Sequence, residues 1–202
     1  ALARIEKAVG PRDWSALYQQ NPVADDGDYF TRDMIQYYER DEIDHDRMKF
    51  YVAWDLAIGQ NEVNDFTVGI TVGVDRQDNI WILDIVRIKK GSLEIVEAIL
   101  DMYVRWKSKI TGIERGQIEM AMGPLLNQRI RERNLYSFYY EGLKPGKRDK
   151  QTRARPIQGR MQQGMVYFPK GDDTAQLMVN EMLRFPAGVH DDCVDTIAWI
   201  GL

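Results

Sequence analysis

Apolar and polar positions follow two different periods along the chain, and the switch between them predicts its elements. From Phe50 the run FYVAWDLA is compact and apolar and ends close to a carboxylate. The polar stretch from Gly59 to Asn64 follows, which predicts a strand and then a loop. The runs DFTVGITVGVD and NIWILDIVRIK are rich in β-branched and aromatic residues and meet across a turn from Asp75 to Asn79. Three such strands in succession predict an antiparallel meander. The period then lengthens. Leu93, Val96, Ile99, Leu100, Tyr103 and Val104 recur at spacings of three and four, predicting a helix capped by Ser92 with one apolar face for the sheet.

A short run at Thr111 to Ile113 ends in Glu114, and Pro124 to Asn134 reads as a helix with proline near its start. Ser137 to Tyr140 is a further strand, Met165 to Pro169 a short edge-like strand, Asp172 to Leu183 a helix and His190 to Ile200 the last helix. Three antiparallel strands followed by alternating helices and strands make an α/β mixed sheet with helices on both faces. Residues 1–46 hold the turn formers Asn21-Pro22 and Asp26-Gly27 and an acidic stretch from Asp41 to Asp46, and read as an N-terminal arm. Residues 47–202 are then one domain, which suits a chain of 202 residues with 44% hydrophobic content.

The net charge of -4 argues against a protein that coats nucleic acid without specificity. Its distribution says more. Lys144, Lys147, Arg148, Lys150, Arg153, Arg155 and Arg160 follow one another with Asp149 as the only acid between Lys144 and Arg160. Such a stretch reads either as a solvated face or as a phosphate-contacting surface. The single cysteine, Cys193, excludes an intramolecular disulfide and a cysteine-based zinc cage. With no apolar run of membrane-spanning length and no signal-peptide pattern, the chain is expected to be soluble and intracellular.

Candidate chemistry lies in the acids. Asp55 and Glu114 each stand at the end of an apolar strand, where a charge is costly unless solvated, paired or bound to a metal. Taken alone, either reads more readily as an ordinary loop carboxylate. In His190-Asp191-Asp192-Cys193-Val194-Asp195, Asp195 falls three and four residues from the other two acids, on one helix face. Acids at a helix start gain from the macrodipole, so capping accounts for one or two of them more easily than for three. An all-oxygen donor set suits Mg²⁺ or Mn²⁺, and two such ions about 3.5 to 4 Å apart can activate water and stabilise a leaving oxygen. Aromatic residues Tyr136, Phe138, Tyr139 and Tyr140, with Trp54, Trp81 and Trp199, read as packing.

Taken in order, YVAWDLAIGQNEVNDFTVGITVGVD, IERG, KQTRARPIQGRMQQGMVYFP and FPAGVHDDCVDTIAWI resemble the nuclease domain of tailed-phage terminase large subunits, a ribonuclease H-like fold. The segment PRDWSALYQQNPVADDGDYF resembles the family's connection between ATPase and nuclease domains. Leu56 stands where many members of that family have proline. The resemblance implies a two-metal endodeoxyribonuclease with Asp55, Glu114, Asp191 and Asp192 as catalytic metal ligands, and Asp65, Asp195 and His190 in support. It implies Mg²⁺ or Mn²⁺ as cofactor and Lys147, Arg148, Lys150, Arg153 and Arg155 as DNA-binding residues. It further implies cleavage of double-stranded concatemeric viral DNA with low sequence specificity in the host cell cytoplasm. The whole protein would have a portal and a small terminase subunit as partners, and the isolated domain would be a monomer. The chain has no GxxxxGK[ST] phosphate-binding loop, so the ATPase half is expected to lie outside it. A junction resolvase or transposase of the same architecture, or a noncatalytic DNA-binding or motor-docking module, would be the rival readings.

Overall fold

The computed structural model describes residues 29–57, 66–144, 146 and 149–201. Seven strands form one mixed sheet: β1 (Gln36–Tyr38), β2 (Lys49–Asp55), β3 (Thr67–Val74), β4 (Ile80–Ile88), β5 (Ile110–Glu114), β6 (Tyr140–Leu143) and β7 (Val166–Pro169). Five helices complete the domain: α1 (Ser92–Trp106), α2 (Gln117–Glu132), α3 (Lys150–Gln162), α4 (Asp173–Arg184) and α5 (Asp192–Ile200). Across the sheet the order is β1-β7-β4-β3-β2-β5-β6. The expected meander is present, with β2, β3 and β4 antiparallel, while β5 joins β2 and β6 joins β5 in parallel.

Because successive strand residues face opposite sides, the sheet has two cores. Val68, Ile70, Val72 and Ile82 look toward α3, α4 and α5, whereas Val52, Trp54 and Ile113 look toward α1 and α2. Burying each such large side chain contributes about 1.5–3 kcal/mol, so both faces hold the sheet in place. Among the described residues no helix is long and apolar enough to cross a membrane.

Several local expectations are corrected. Ser92 does not cap α1 but is its first residue, with Gly91 in the cap position and no side-chain cap bond. Helix α2 begins at Gln117 and carries Pro124 inside it, because proline forfeits one backbone donor without forbidding a packed helix. Strand β6 begins only at Tyr140; Phe138 is buried, but Tyr136 and Tyr139 are exposed and pack in no core. Strand β7 is not an edge, since β1 pairs with it in parallel on its outer side. Residues 29–46, read as part of the arm, lie on the sheet: Phe30 is fully buried, and Arg40 pairs with Asp172 at 2.5 Å. The basic stretch from Lys150 to Arg160 folds as a helix, α3, which buries Ala154, Ile157 and Met161. The Gly59 to Asn64 loop and the connector before Tyr29 lie outside the described residues.

The β3–β4 turn shows how a single side chain sets strand register. Asp75 Oδ1 accepts the backbone N–H groups of Gln77 and Asn79, and Oδ2 accepts Asn79 Nδ2 and Trp81 Nε1. Burial acts to raise the Asp75 pKa, but the bonds from Asn79, Trp81 and Gln77 outweigh it and hold it below 3.8. A depressed acid stabilises above its unfolded pKa and loses that contribution as pH falls through the folded value. Asp75→Ala is expected to cost about 1 kcal/mol at neutral pH, kept small by solvent at the turn. Urea unfolding should show the gap between the two proteins closing at acid pH.

Candidate active site

Strand alternation decides which acids can meet. The β2–β5 register pairs Trp54 with Ile113, so Asp55 and Glu114, the next residues, end neighbouring parallel strands on the face opposite Trp54. That face carries α5, which packs on β2, β3, α3 and α4 and brings in Asp191, Asp192 and Asp195. Val194, Ile197 and Ala198 are buried as the stripe that docks the helix.

Each acid has definite partners. Trp199 Nε1 donates to Glu114 Oε2 at 2.9 Å, so this tryptophan, expected only to pack, also orients a strand-end carboxylate. Arg153 Nη2 donates to Asp195 Oδ1 at 2.8 Å, and Nη1 stands 3.8 Å from Glu114 Oε2. Lys150 Nζ lies 2.7 Å from both Asp191 oxygens and 2.9 Å from Asp195 Oδ2. The contacts of Lys150 raise its pKa: burial acts downward, but the bonds to Asp191 and Asp195 prevail. Lys150, half exposed, and Arg153, mostly buried, lie three residues apart on the side of α3 turned to these acids. Arg155 points out and is exposed. An open cleft of ≈ 390 Å³ beside Asp191 is lined by Lys150, Thr152, Arg155, Phe185 and Pro186.

Asp192 is buried and faces a second set of groups. Its Oδ2 accepts from the backbone N of Phe66 at 3.4 Å and lies 3.8 Å from Arg87 Nη2 and 3.9 Å from His190 Nδ1. Arg87 also covers the Phe66 ring at 3.4 Å and reaches Glu181 Oε2 at 3.8 Å. Arg87 and Glu181 escaped the sequence reading because each sits within an ordinary amphipathic pattern. Only the approach of β4 and α4 to the start of α5 gives them a part in the site. Burial raises the pKa of Glu181 and, to a greater extent, that of the Cys193 thiol, which keeps the cysteine a packed, protonated group.

Asp55 is strongly perturbed. Burial raises its pKa from 3.8 to about 7, with further upward contributions from Glu114, Asp195 and Asp192 against a downward one from Arg153. Among the described residues no three His, Cys, Asp or Glu side chains converge on a single point suited to a metal ion. The donor set nevertheless fits one. It is made of oxygens, and a carboxylate pushed up by burial and three like charges is what an added cation relieves. The structure thus brings together Asp55, Glu114, Asp192 and Asp195, with Asp191 turned to Lys150 at the rim. Asp65, Lys147 and Arg148 lie outside the described residues.

Comparison with known proteins gives consistent results. Residues 52–201 match the family described as the terminase RNaseH-like domain. The fold is similar to that of the large terminase nuclease from thermophilic phage G20c, with a TM-score of 0.55 and 15% identity, covering 82% of this chain and 92% of that one. It is also similar to a human cytomegalovirus terminase nuclease domain, Mn soaked and inhibitor bound, with a TM-score of 0.57 and 15% identity, covering 81% of this chain and 87% of that one. Against the HK97 bacteriophage large terminase the TM-score is 0.50 at 9% identity, covering 84% of this chain and 40% of that one. No curated protein sequence matches the chain.

Proposed function

The chain belongs to the terminase RNaseH-like domain family, and from that premise we propose that it is a metal-dependent endonuclease that cuts double-stranded viral DNA during genome packaging. The observation that carries this reading is that Asp55 and Glu114 end neighbouring strands on the sheet face that bears α5, with the charges of Glu114, Asp195 and Asp192 all acting on Asp55. Asp55 and Glu114, with the Asp191-Asp192 pair, would hold Mg²⁺ or Mn²⁺, in a two-ion arrangement. The proximity of Asp195 to Asp55 supports a larger part for it than support alone. When bound, the ions would supply water activation and charge neutralisation at the scissile phosphate.

The chain's own groups orient that chemistry. Trp199 fixes Glu114 by its indole N–H, and Arg153 spans Glu114 and Asp195 so that the strand and helix acids keep one relative placement. Phosphate contact is assigned to Arg155 and Lys150 along the cleft beside Asp191, and to Lys147 and Arg148 from their place in the basic stretch. Base-reading groups have no place in this scheme, so specificity for sequence is low. In the whole protein, portal and small terminase subunit would be the partners, the segment before Tyr29 would lead from the ATPase domain, and the work would be done in the host cytoplasm.

Linear duplex DNA incubated with the purified protein is expected to be cut when Mn²⁺ or Mg²⁺ is added, and to stay whole in excess chelator. Cutting should weaken as salt rises, since phosphate contacts release counterions. Undiminished cutting in chelator would refute the metal-dependent reading. A marked preference for four-way junctions over plain duplex would favour a resolvase instead.

A further inference from the structure

Helix α5 starts at Asp192 with Asp191 in the N-cap position, yet the Asp191 side chain makes no capping hydrogen bond. The acceptor comes from another helix. Glu181, on α4, places Oε1 2.6 Å from the backbone N of Cys193 and 3.4 Å from that of Val194. These are the second and third N–H groups of α5, the ones an N-cap aspartate ordinarily satisfies. The other oxygen of Glu181 faces Arg87, which also faces Asp192, and the glutamate is only 8% exposed. Asp191 meanwhile turns both oxygens to Lys150, across the rim of the acidic cluster.

We propose that Glu181 is a positioning residue, a cap lent by α4 that takes over the second and third N–H groups of α5 and so leaves Asp191 turned outward to Lys150, at the rim of the cation site. The inference rests on the divalent-cation reading above. Its physical basis is a competition. Buried N–H groups left without an acceptor are costly, so without Glu181 the nearest carboxylate, Asp191, folds back onto its own helix start. A carboxylate folded onto its own helix start is fixed there by backbone donors, whereas one paired with the half-exposed Lys150 ammonium can exchange that partner for a cation. Glu181 cannot itself serve as a ligand, since one oxygen is held by α5 and the other faces the Arg87 guanidinium. Three acids at one helix start, which capping alone explains poorly, then become intelligible: the capping is done by a fourth.

The test is calorimetric titration of Mn²⁺ into the wild-type chain and the Glu181→Gln and Glu181→Ala variants, with melting curves of each in chelator. Glutamine keeps an acceptor oxygen at the same reach, so its Mn²⁺ affinity should stay close to wild type. Alanine removes the acceptor, and affinity should fall about 10- to 100-fold, the range for losing a group that orients a ligand. Equal loss in both variants would mean that charge matters rather than capping, and would overturn the proposal. A lower melting point with unchanged Mn²⁺ affinity in Glu181→Ala would overturn it too, since Glu181 would then only hold α4 to α5. If Glu181→Ala does not fold, Glu181→Asp keeps the charge but shortens the reach, and Mn²⁺ binding as tight as wild type there would be equally fatal. Failure of the wild-type chain to bind Mn²⁺ would instead remove the cation reading on which the inference stands.

Discussion

Asn in place of Asp55 is expected to abolish metal-dependent DNA cleavage and, in the same protein, to raise the melting temperature measured in chelator near neutral pH. The two effects share a cause. Asp55 ends β2 within reach of the charges of Glu114, Asp192 and Asp195, and burial together with those charges raises its pKa from 3.8 to about 7. For an acid with a raised folded pKa, the folded state binds more protons than the unfolded one between the two values. Stability therefore falls as pH climbs through that window and levels off above it. The loss is on the order of a few kcal/mol, and asparagine, which does not ionise, escapes it. Cleavage moves the other way. On the proposed mechanism correctly held ions would supply several kcal/mol of transition-state stabilisation, so losing a carboxylate proposed to hold them should slow cutting by about 10³-fold or more. Gel assays with Mn²⁺ and melting curves across the neutral range check both halves. Cutting at wild-type rate would remove Asp55 from the centre of the mechanism.

The largest effect on folding is expected at the neighbouring residue. Trp54 is fully buried on the opposite face of β2 and lies across Gly69 of β3. A Cβ built on Gly69 would stand 2.6 Å from three atoms of the indole, so the glycine is there to admit the ring. Trp54→Ala should therefore cost about 3–5 kcal/mol, the range for emptying a large aromatic site in a core. Gly69→Ala, which overfills the same space, should cost about 1–3 kcal/mol. Urea unfolding checks both, and a shift under about 1 kcal/mol for Trp54→Ala would mean that α1 and α2 do not pack on this ring as described. Trp54→Phe should be milder than alanine, because the indole N–H has no hydrogen-bond partner among the described residues and is lost without penalty.

Periodicity carried most of the sheet. The β2–β3–β4 meander, β5 and its terminal Glu114 follow from alternation and from the placement of carboxylates at the ends of apolar runs. Helix α3 was hidden because Pro156, Gly159 and four basic residues dilute the apolar spacing of Ala154, Ile157 and Met161. Strand β1 was hidden for another reason: only three residues long, it owes its conformation to pairing with β7, a partner far along the chain. Within the site, strand-end acids announce themselves, whereas Trp199, Arg87 and Glu181 act through single contacts across elements. Trp199 Nε1 on Glu114 is one hydrogen bond, and no spacing rule encodes it. The basic residues were legible as a group but not in their division. The pitch of α3 turns Lys150 and Arg153 toward the acids and leaves Arg155 outside.

The acids that gather at the ends of β2 and β5 and the start of α5 come from positions 55, 114 and 191 to 195, so nearly the whole fold must close before they meet. Contacts so distant along a chain form late, after the cost of closing long loops has been met. A chain without α5 would hold Asp55 and Glu114 without Asp192 and Asp195. The complete acidic cluster thus exists only in molecules whose α5 has docked on the sheet.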